Sequence, residues 1–245
     1  MRALRILLIL VVILGGLFVV ADRLAVNLAE GQVADKLKAR QNLASTPDVS
    51  IKGFPFLTQV AGGSLDDVEV GIKNYEAAAG TSGKTVRIDD LKADMKGVAF
   101  SGDYSSATAA SATGTATIAY DQLLKTTQSE PASMGPGVSA RVVGLTYGGN
   151  DKIKVALQVS VPALDVKQTV QVLSSVTVRD GKVQVHADSL PALGGADVAE
   201  SRVRRITDFQ QVVDQLPGGI KIDEVTATQG GLEIGVAGSD VRLAG

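Results

Sequence analysis

The chain has 245 residues, of which 45% are hydrophobic and only 4% aromatic, and it contains neither Trp nor Cys. Its formal net charge of −2 at pH 7 gives no reason to expect nucleic acid as a partner. The lack of cysteine excludes disulfides, thiolate metal sites, a cysteine nucleophile and the lipobox cysteine of a lipoprotein.

The first predicted element is a hydrophobic segment at the N-terminus. Arg2 and Arg5 flank the start of an unbroken apolar run over residues 6–21, which ends at Asp22 and Arg23. Basic residues ahead of such a run place the N-terminus in the cytoplasm and the remaining chain outside. The sequence therefore predicts export across the cytoplasmic membrane.

Two fates of this segment remain open. The run is slightly shorter than the roughly 20 residues that span a bilayer comfortably, and Ala21 offers a small residue for signal peptidase. We predict a signal-anchor or signal peptide over residues 1–22 and a single extracytoplasmic domain over residues 23–245. The protein then lies in the cell membrane with one N-terminal anchor, or is secreted if the segment is cut.

An amphipathic helix is predicted next, over residues 23–43. Val26, Ala29, Val33 and Leu37 fall on one of its faces.

Most of the remaining chain predicts β-strands. Apolar and polar residues alternate, as in strands with one buried and one solvated face, over residues 67–73, 86–89, 153–161, 182–186 and 232–236. Glycine-rich and Asn-Asp segments between them suit hairpin turns. Two more helices are predicted, over residues 120–128 and 197–216. The expected fold class is α+β, a long curved, mainly antiparallel sheet wrapped around helices.

Motifs for catalysis are missing from the sequence. The single histidine, His186, lies on the polar face of a predicted strand, and no G-x-S-x-G elbow is present. With one His and no Cys, a zinc site would consist almost entirely of carboxylates, which is rare. We therefore expect no enzyme activity, no cofactor and no metal. The acidic pairs Asp66-Asp67 and Asp89-Asp90, the latter followed by Asp94, leave calcium binding as an alternative to solvated turn residues.

A cluster of arginines occurs in the second long predicted helix. Arg202, Arg204 and Arg205 lie within four residues of one another. Guanidinium groups pair well with phosphate oxygens, so contact with lipid head groups is one interpretation. An ordinary solvated helix face is the other.

Residues 49–60, with the sequence VSIKGFPFLTQV, and the following GSLDDV at 63–68 resemble the opening signature of the actinobacterial LmeA-like phospholipid-binding family. In that family an anchor and a helix precede a GxPFLTQ segment. Residues 206–220 and 230–232 look similar to the C-terminal part of the family. The resemblance implies an envelope protein that binds phospholipid and, in mycobacteria, assists maturation of a lipoglycan. It also implies a fold similar to tubular lipid-binding domains, and it carries over no catalytic residue.

Within this motif, Phe54, Pro55, Phe56 and Leu57 are the candidate lipid-binding residues, together with the three arginines. Pro55 restricts its neighbour to extended geometry and lacks a ladder donor, so the apolar side chains can project as a lip that handles lipid or touches the membrane. Alternatively, the same side chains fill a corner of the core.

Two functions from different classes follow from these observations. The first is an extracytoplasmic protein that holds or shuttles phospholipid acyl chains in an apolar channel, with phospholipid and the cytoplasmic membrane as partners and a role in lipoglycan or envelope maturation. The alternative is a structural or scaffolding envelope protein whose sheet packs solidly and binds no lipid. A hydrolase or glycosyltransferase accessory is a third interpretation, against which the missing motifs count.

Overall fold

The computed structural model describes residues 2–79, 84–103, 105–127, 131–135, 137–179, 182–189, 209–212 and 219–244. The α-helices in these ranges are α1 (Arg2–Gln41), α2 (Phe56–Ala61) and α3 (Tyr120–Thr127), and Pro162–Leu164 form a short 3-10 helix. The strands are β1 (Asp48–Lys52), β2 (Ser64–Ala79), β3 (Lys84–Phe100), β4 (Ala107–Ile118), β5 (Ala132–Gly135), β6 (Val138–Gly149), β7 (Lys152–Val161), β8 (Val166–Arg179), β9 (Lys182–Ser189), β10 (Phe209–Val212), β11 (Lys221–Ala227) and β12 (Leu232–Ala244).

The described strands form two antiparallel sheets. The first has the order β1-β2-β3-β4-β12-β11, and the second has the order β10-β9-β8-β7-β6-β5. Short hairpins connect most neighbours, as the glycine-rich and Asn-Asp segments predicted. Between β6 and β7 the two loop residues Asn150 and Asp151 have φ of 50° and 57°, the pair of positive values that a type I′ turn requires.

α1 is one uninterrupted helix rather than an anchor followed by a separate helix. The residues of its apolar N-terminal part are all exposed, and it is the one helix in the described part of the chain with the length and composition to cross a membrane. Its C-terminal part packs on the domain through Asp22, Val26 and Ala34. Val33 was predicted on the buried face, but its side chain is 37% exposed and Ala34 takes that place.

Two apolar clusters hold the described part of the domain together. The inter-sheet cluster joins strands β6–β9 to β11 and β12, and its members from the first sheet are Ile222, Val225, Ala227 and Leu232. The α1 cluster joins α1 and α2 to the first sheet, and its buried members are Val26, Ile51, Phe56, Leu65, Val98, Ala109, Ala112 and Val241. The first sheet therefore contributes to both clusters.

In β3 and in β12, the alternation of side chains between the two faces of the first sheet is interrupted at a left-handed residue. Gly97 in β3 and Asp240 in β12 have φ of 59° and 52°, and both lie opposite Ala110 of β4. A left-handed residue within a strand interrupts the alternation of side chains. Met95 and Val98, three residues apart, consequently contribute to the same α1 cluster.

Two sequence predictions about the architecture need correction. The antiparallel strands are divided between two sheets instead of forming one long sheet. Within the predicted helix at 197–216, residues 209–212 form strand β10, antiparallel to β9; the rest of that segment lies outside the described residues. Phe209 pairs with Val185 and Gln211 pairs with Val183, so these residues extend the edge of the second sheet. Such pairing with a distant strand outweighs the helical spacing of apolar residues in the sequence.

Candidate functional site

The GFPFLTQ segment forms a compact turn between β1 and β2. Gly53 has φ of 92°, and a Cβ there would lie 2.5 Å from Nε2 of Gln59 and 2.7 Å from Oδ2 of Asp66. The Gln59 side chain accepts a hydrogen bond from the Asp66 backbone N–H at 2.7 Å. Thr58 Oγ1 donates to the Pro55 carbonyl at 2.9 Å, which closes the first turn of α2. The motif residues thus fix one loop conformation.

This loop is joined to α1 by a buried carboxylate. Asp22 has no exposed side-chain surface, and its Oδ1 accepts the backbone N–H of Leu57 at 2.8 Å. The other oxygen, Oδ2, lies 3.7 Å from the Arg23 guanidinium. That guanidinium also lies over the Phe54 ring, with 5.0 Å between its carbon and the ring centroid, within the range of a cation–π contact. A second tie runs from the Ile51 N–H to Glu30 at 2.8 Å.

The four predicted lip residues therefore separate into two kinds. Phe56 is buried in the α1 cluster, as the core-corner interpretation requires. Phe54 and Leu57 project outward with 54% and 37% of their surface exposed, beside the end of the apolar run of α1. Pro55 directly precedes α2, and the Phe54–Pro55 peptide bond is cis. Arg202, Arg204 and Arg205 lie outside the described residues.

A second apolar feature, which the sequence did not predict, runs along β4 on the face shared by the two clusters. Its floor is made of the small residues Ala112, Gly114 and Ala116, and we call it the β4 furrow. In register with this floor, β12 contributes a large side chain to both central rows, whereas β3 contributes Leu91 to one row and Ala93 to the other, with Val70 of β2 beyond it. The two central rows are Val70–Ala93–Gly114–Val236 and Ile72–Leu91–Ala116–Ile234.

The β4 furrow is apolar but incompletely covered. All eight residues of its two central rows are partly exposed, whereas Ala112 at one end and Ile118 at the other are buried. From Ala112 to Ile118 the furrow runs roughly 20 Å at about 3.4 Å per residue. One leaflet of hydrocarbon is about 15 Å thick, so an extended acyl tail fits this length. Gly114 has to be small, because a Cβ there would meet the Lys92 carbonyl at 3.0 Å.

The opposite face of the same strands is charged. Asp67, Glu69 and Asp94 bring carboxylate oxygens within 4.8 Å of one another, and Glu69 also pairs with Lys52 at 3.2 Å. Burial raises the pKa of Asp67, and the charges of Asp94 and Glu69 raise it further. The cluster unites residues from both acidic groups noted in the sequence, because Glu69 lies opposite Asp94 in the β2–β3 ladder.

The polar face of the second sheet carries a network of its own. His186 lies exposed in β9, as predicted. Asp188 on the same strand accepts from Ser175 at 2.7 Å and pairs with Lys152 at 3.0 Å. Burial opposes ionisation of Asp188, but the hydrogen bonds from Ser175 and Lys152 outweigh it and lower the pKa. Because Lys152, Ser175 and Asp188 belong to three neighbouring strands, this arrangement stabilises strand pairing.

Comparison with known proteins adds one finding. A family model described as LmeA-like phospholipid-binding matches residues 20–237. No curated protein and no solved structure matches the chain. The matched range begins just before Asp22 and includes the GFPFLTQ turn, the β4 furrow and part of β12.

Proposed function

This chain belongs to the LmeA-like phospholipid-binding family, and from that premise we propose that it holds one phospholipid with an acyl chain in the β4 furrow. The observation that carries the proposal is the partly exposed apolar face between the two packed clusters. A hydrocarbon chain laid there removes its own surface and that of the furrow from water. Each methylene so buried contributes about 0.8 kcal/mol.

The shape of the furrow supports a hydrocarbon ligand in particular. Ala112, Gly114 and Ala116 offer no polar side chain, and the residues beside them on β2, β3 and β12 are Val, Ile, Leu, Met and Ala. Polar residues of the same strands, such as Thr115 and Lys92, point to the opposite face. A ligand that needs several hydrogen bonds would find none from the side chains of the floor.

The setting we propose is the outer face of the cytoplasmic membrane. The α1 apolar run anchors the protein with its domain outside, and the protein binds or passes on lipid without catalysing a reaction. In an actinobacterial envelope, with a fold related to tubular lipid-binding domains, such a protein assists lipoglycan or envelope maturation. The apolar N-terminal helix and the family membership support this proposal.

The test is the lipid content of the full-length protein. The protein is purified in a detergent that strips annular lipid, extracted with organic solvent and analysed by mass spectrometry against a single-helix membrane protein treated identically. We expect about one phospholipid per chain above that control. A lipid content equal to that of the control would contradict the proposal and favour the structural envelope protein.

A further inference from the structure

With α1 crossing the membrane as proposed above, the distance along this helix sets the level at which the domain meets the bilayer. From Arg5 to Asp22 the helix rises about 26 Å at 1.5 Å per residue, close to the roughly 30 Å of a bilayer core. Residues 6–20 are exposed and apolar throughout. Asp22 and Arg23 thus mark the interface on the side of the domain.

Exposed apolar side chains lie at that level and within about 9 Å of it on the side of the domain. Phe54 and Leu57 are held there by the contacts of Arg23 and Asp22 with the GFPFLTQ turn. Leu24 and Leu28, in the next turns of α1, have 59% and 67% of their surface exposed. Outside α1, the large apolar side chains exposed in the described residues are few, and the others are Leu164, Val166 and Leu243. We call Leu24, Leu28, Phe54 and Leu57 the collar.

We propose that the collar inserts into the head-group and acyl boundary of the leaflet on the domain's side. The partner is a phospholipid bilayer, and the surface is continuous with the helix that crosses it. Phenylalanine and leucine suit this depth, where apolar side chains leave water while nearby cations remain solvated. Arg23, stacked on Phe54, places its guanidinium at the level of lipid phosphates.

The contacts of Asp22 and Glu30 also fix the orientation of the domain relative to α1. α1 continues without a break from the apolar run to Gln41, and Asp22 and Glu30 tie it to the turn and to β1. The domain therefore stands in one orientation, with the α1 cluster nearest the bilayer. Since Ala112 belongs to that cluster, the β4 furrow begins on the membrane side and runs away from it.

The natural chain lacks Trp, so single tryptophans report depth without background. Three full-length variants are reconstituted in phosphatidylcholine–phosphatidylglycerol vesicles: Leu14→Trp within the apolar run, Phe54→Trp in the collar, and Val33→Trp as the matched control. Val33 is about as exposed as Leu57 but lies roughly 16 Å beyond Asp22 along the helix.

Quenching by lipids brominated near the glycerol end of the chain measures insertion. We expect strong quenching and blue-shifted emission for Phe54→Trp, quenching of Leu14→Trp by lipids brominated deeper in the chain, and neither for Val33→Trp. Emission of Phe54→Trp that matches Val33→Trp would overturn the proposal, as would an unquenched Leu14→Trp. The collar rests on the proposed anchoring by α1, and the two are separated by the variants: an unquenched Leu14→Trp contradicts the anchor, whereas quenched Leu14→Trp with Phe54→Trp emission like that of Val33→Trp contradicts the collar alone. Neither result depends on lipid in the furrow.

Discussion

The carboxylate of Asp22 in α1 accepts the backbone N–H of Leu57, the second residue of α2, at 2.8 Å. A helix usually obtains this acceptor from its own N-cap side chain, but the residue before α2 is Pro55, which makes no side-chain cap. The long helix thus caps the short one. Because the capped turn carries Phe54 and Leu57, the anchor and the GFPFLTQ motif form a single unit.

Replacing Asp22 with Ala should loosen this unit. The variant loses a charge-assisted hydrogen bond in a buried position, worth about 1.5–3 kcal/mol. We expect a lower unfolding temperature and faster hydrogen exchange at the Leu57 amide, measured by mass spectrometry. Asp22→Asn keeps an acceptor oxygen and should lose less; equal protection of Leu57 in Asp22→Ala and the natural protein would refute the capping role.

Gly53→Ala should destabilise the motif turn. The new methyl group has to displace the ends of Gln59 and Asp66 while the backbone keeps a φ of 92°, and such a conformation costs a non-glycine residue about 1–3 kcal/mol. Chemical denaturation measures the change. Gly63→Ala is the control for backbone conformation alone, because Gly63 also has positive φ, 76°, but a Cβ placed there would have no neighbour within 4 Å. A loss for Gly53→Ala no larger than the control's would contradict the steric part of this account.

Removing one charge from the carboxylate cluster should raise the free energy of unfolding in a pH-dependent way. The folded-state pKa of Asp67 is raised by burial and by Asp94 and Glu69. The contribution of Asp67 to the free energy of unfolding is therefore most favourable below its unfolded-state pKa, where the side chain is protonated, and it falls as pH rises through the folded-state pKa. Asp94→Asn removes a like charge directly opposite Glu69. It should raise the free energy of unfolding at pH 7 by about 0.2–1 kcal/mol, with the gain fading in acid.

Asp89→Asn provides the matched comparison for this effect. Asp89 lies on the same strand, but its carboxylate is 3.1 Å from the Arg87 guanidinium. Its removal should leave stability within about 0.5 kcal/mol of the natural protein or lower it slightly. If Asp94→Asn also lowers stability at pH 7, repulsion among the three carboxylates does not govern the stability of this face.

The strands with strong alternation were predictable from sequence. β7 carries branched apolar residues at every second position and β9 carries Val183, Val185 and Ala187 in the same alternation, and the packing of the two sheets confirms those faces. β4 was missed because its sequence, ATAASATGTATI, alternates Thr with Ala and Gly rather than with large apolar residues. The run of small residues on one face of β4 is the sequence signal that could have indicated the furrow. It indicates a furrow only once the register of β4 against β3 and β12 is known.

The candidate site likewise has features that could be predicted from the sequence and features that could not. The GFPFLTQ motif was predictable, and the structure shows that Phe56 fills the core while Phe54 and Leu57 face outward. Asp22 was interpreted as the polar flank of the apolar run, because a tertiary cap supplied to a distant turn has no local sequence pattern. Likewise, the three-carboxylate cluster depends on the pairing of Glu69 with Asp94 across two strands.

The central claim, that an acyl chain lies in the β4 furrow, is tested most directly by photo-crosslinking. The full-length protein is reconstituted with a phospholipid that carries a diazirine at the end of one acyl chain, and labelled tryptic peptides are identified. We expect label in peptide 97–125, which contains β4, and a large loss of that label in Ala116→Phe, which fills the furrow. Thr115→Phe, exposed on the opposite face of the same strand, should keep it. Label confined to α1, or equal label in the two variants, would contradict the claim.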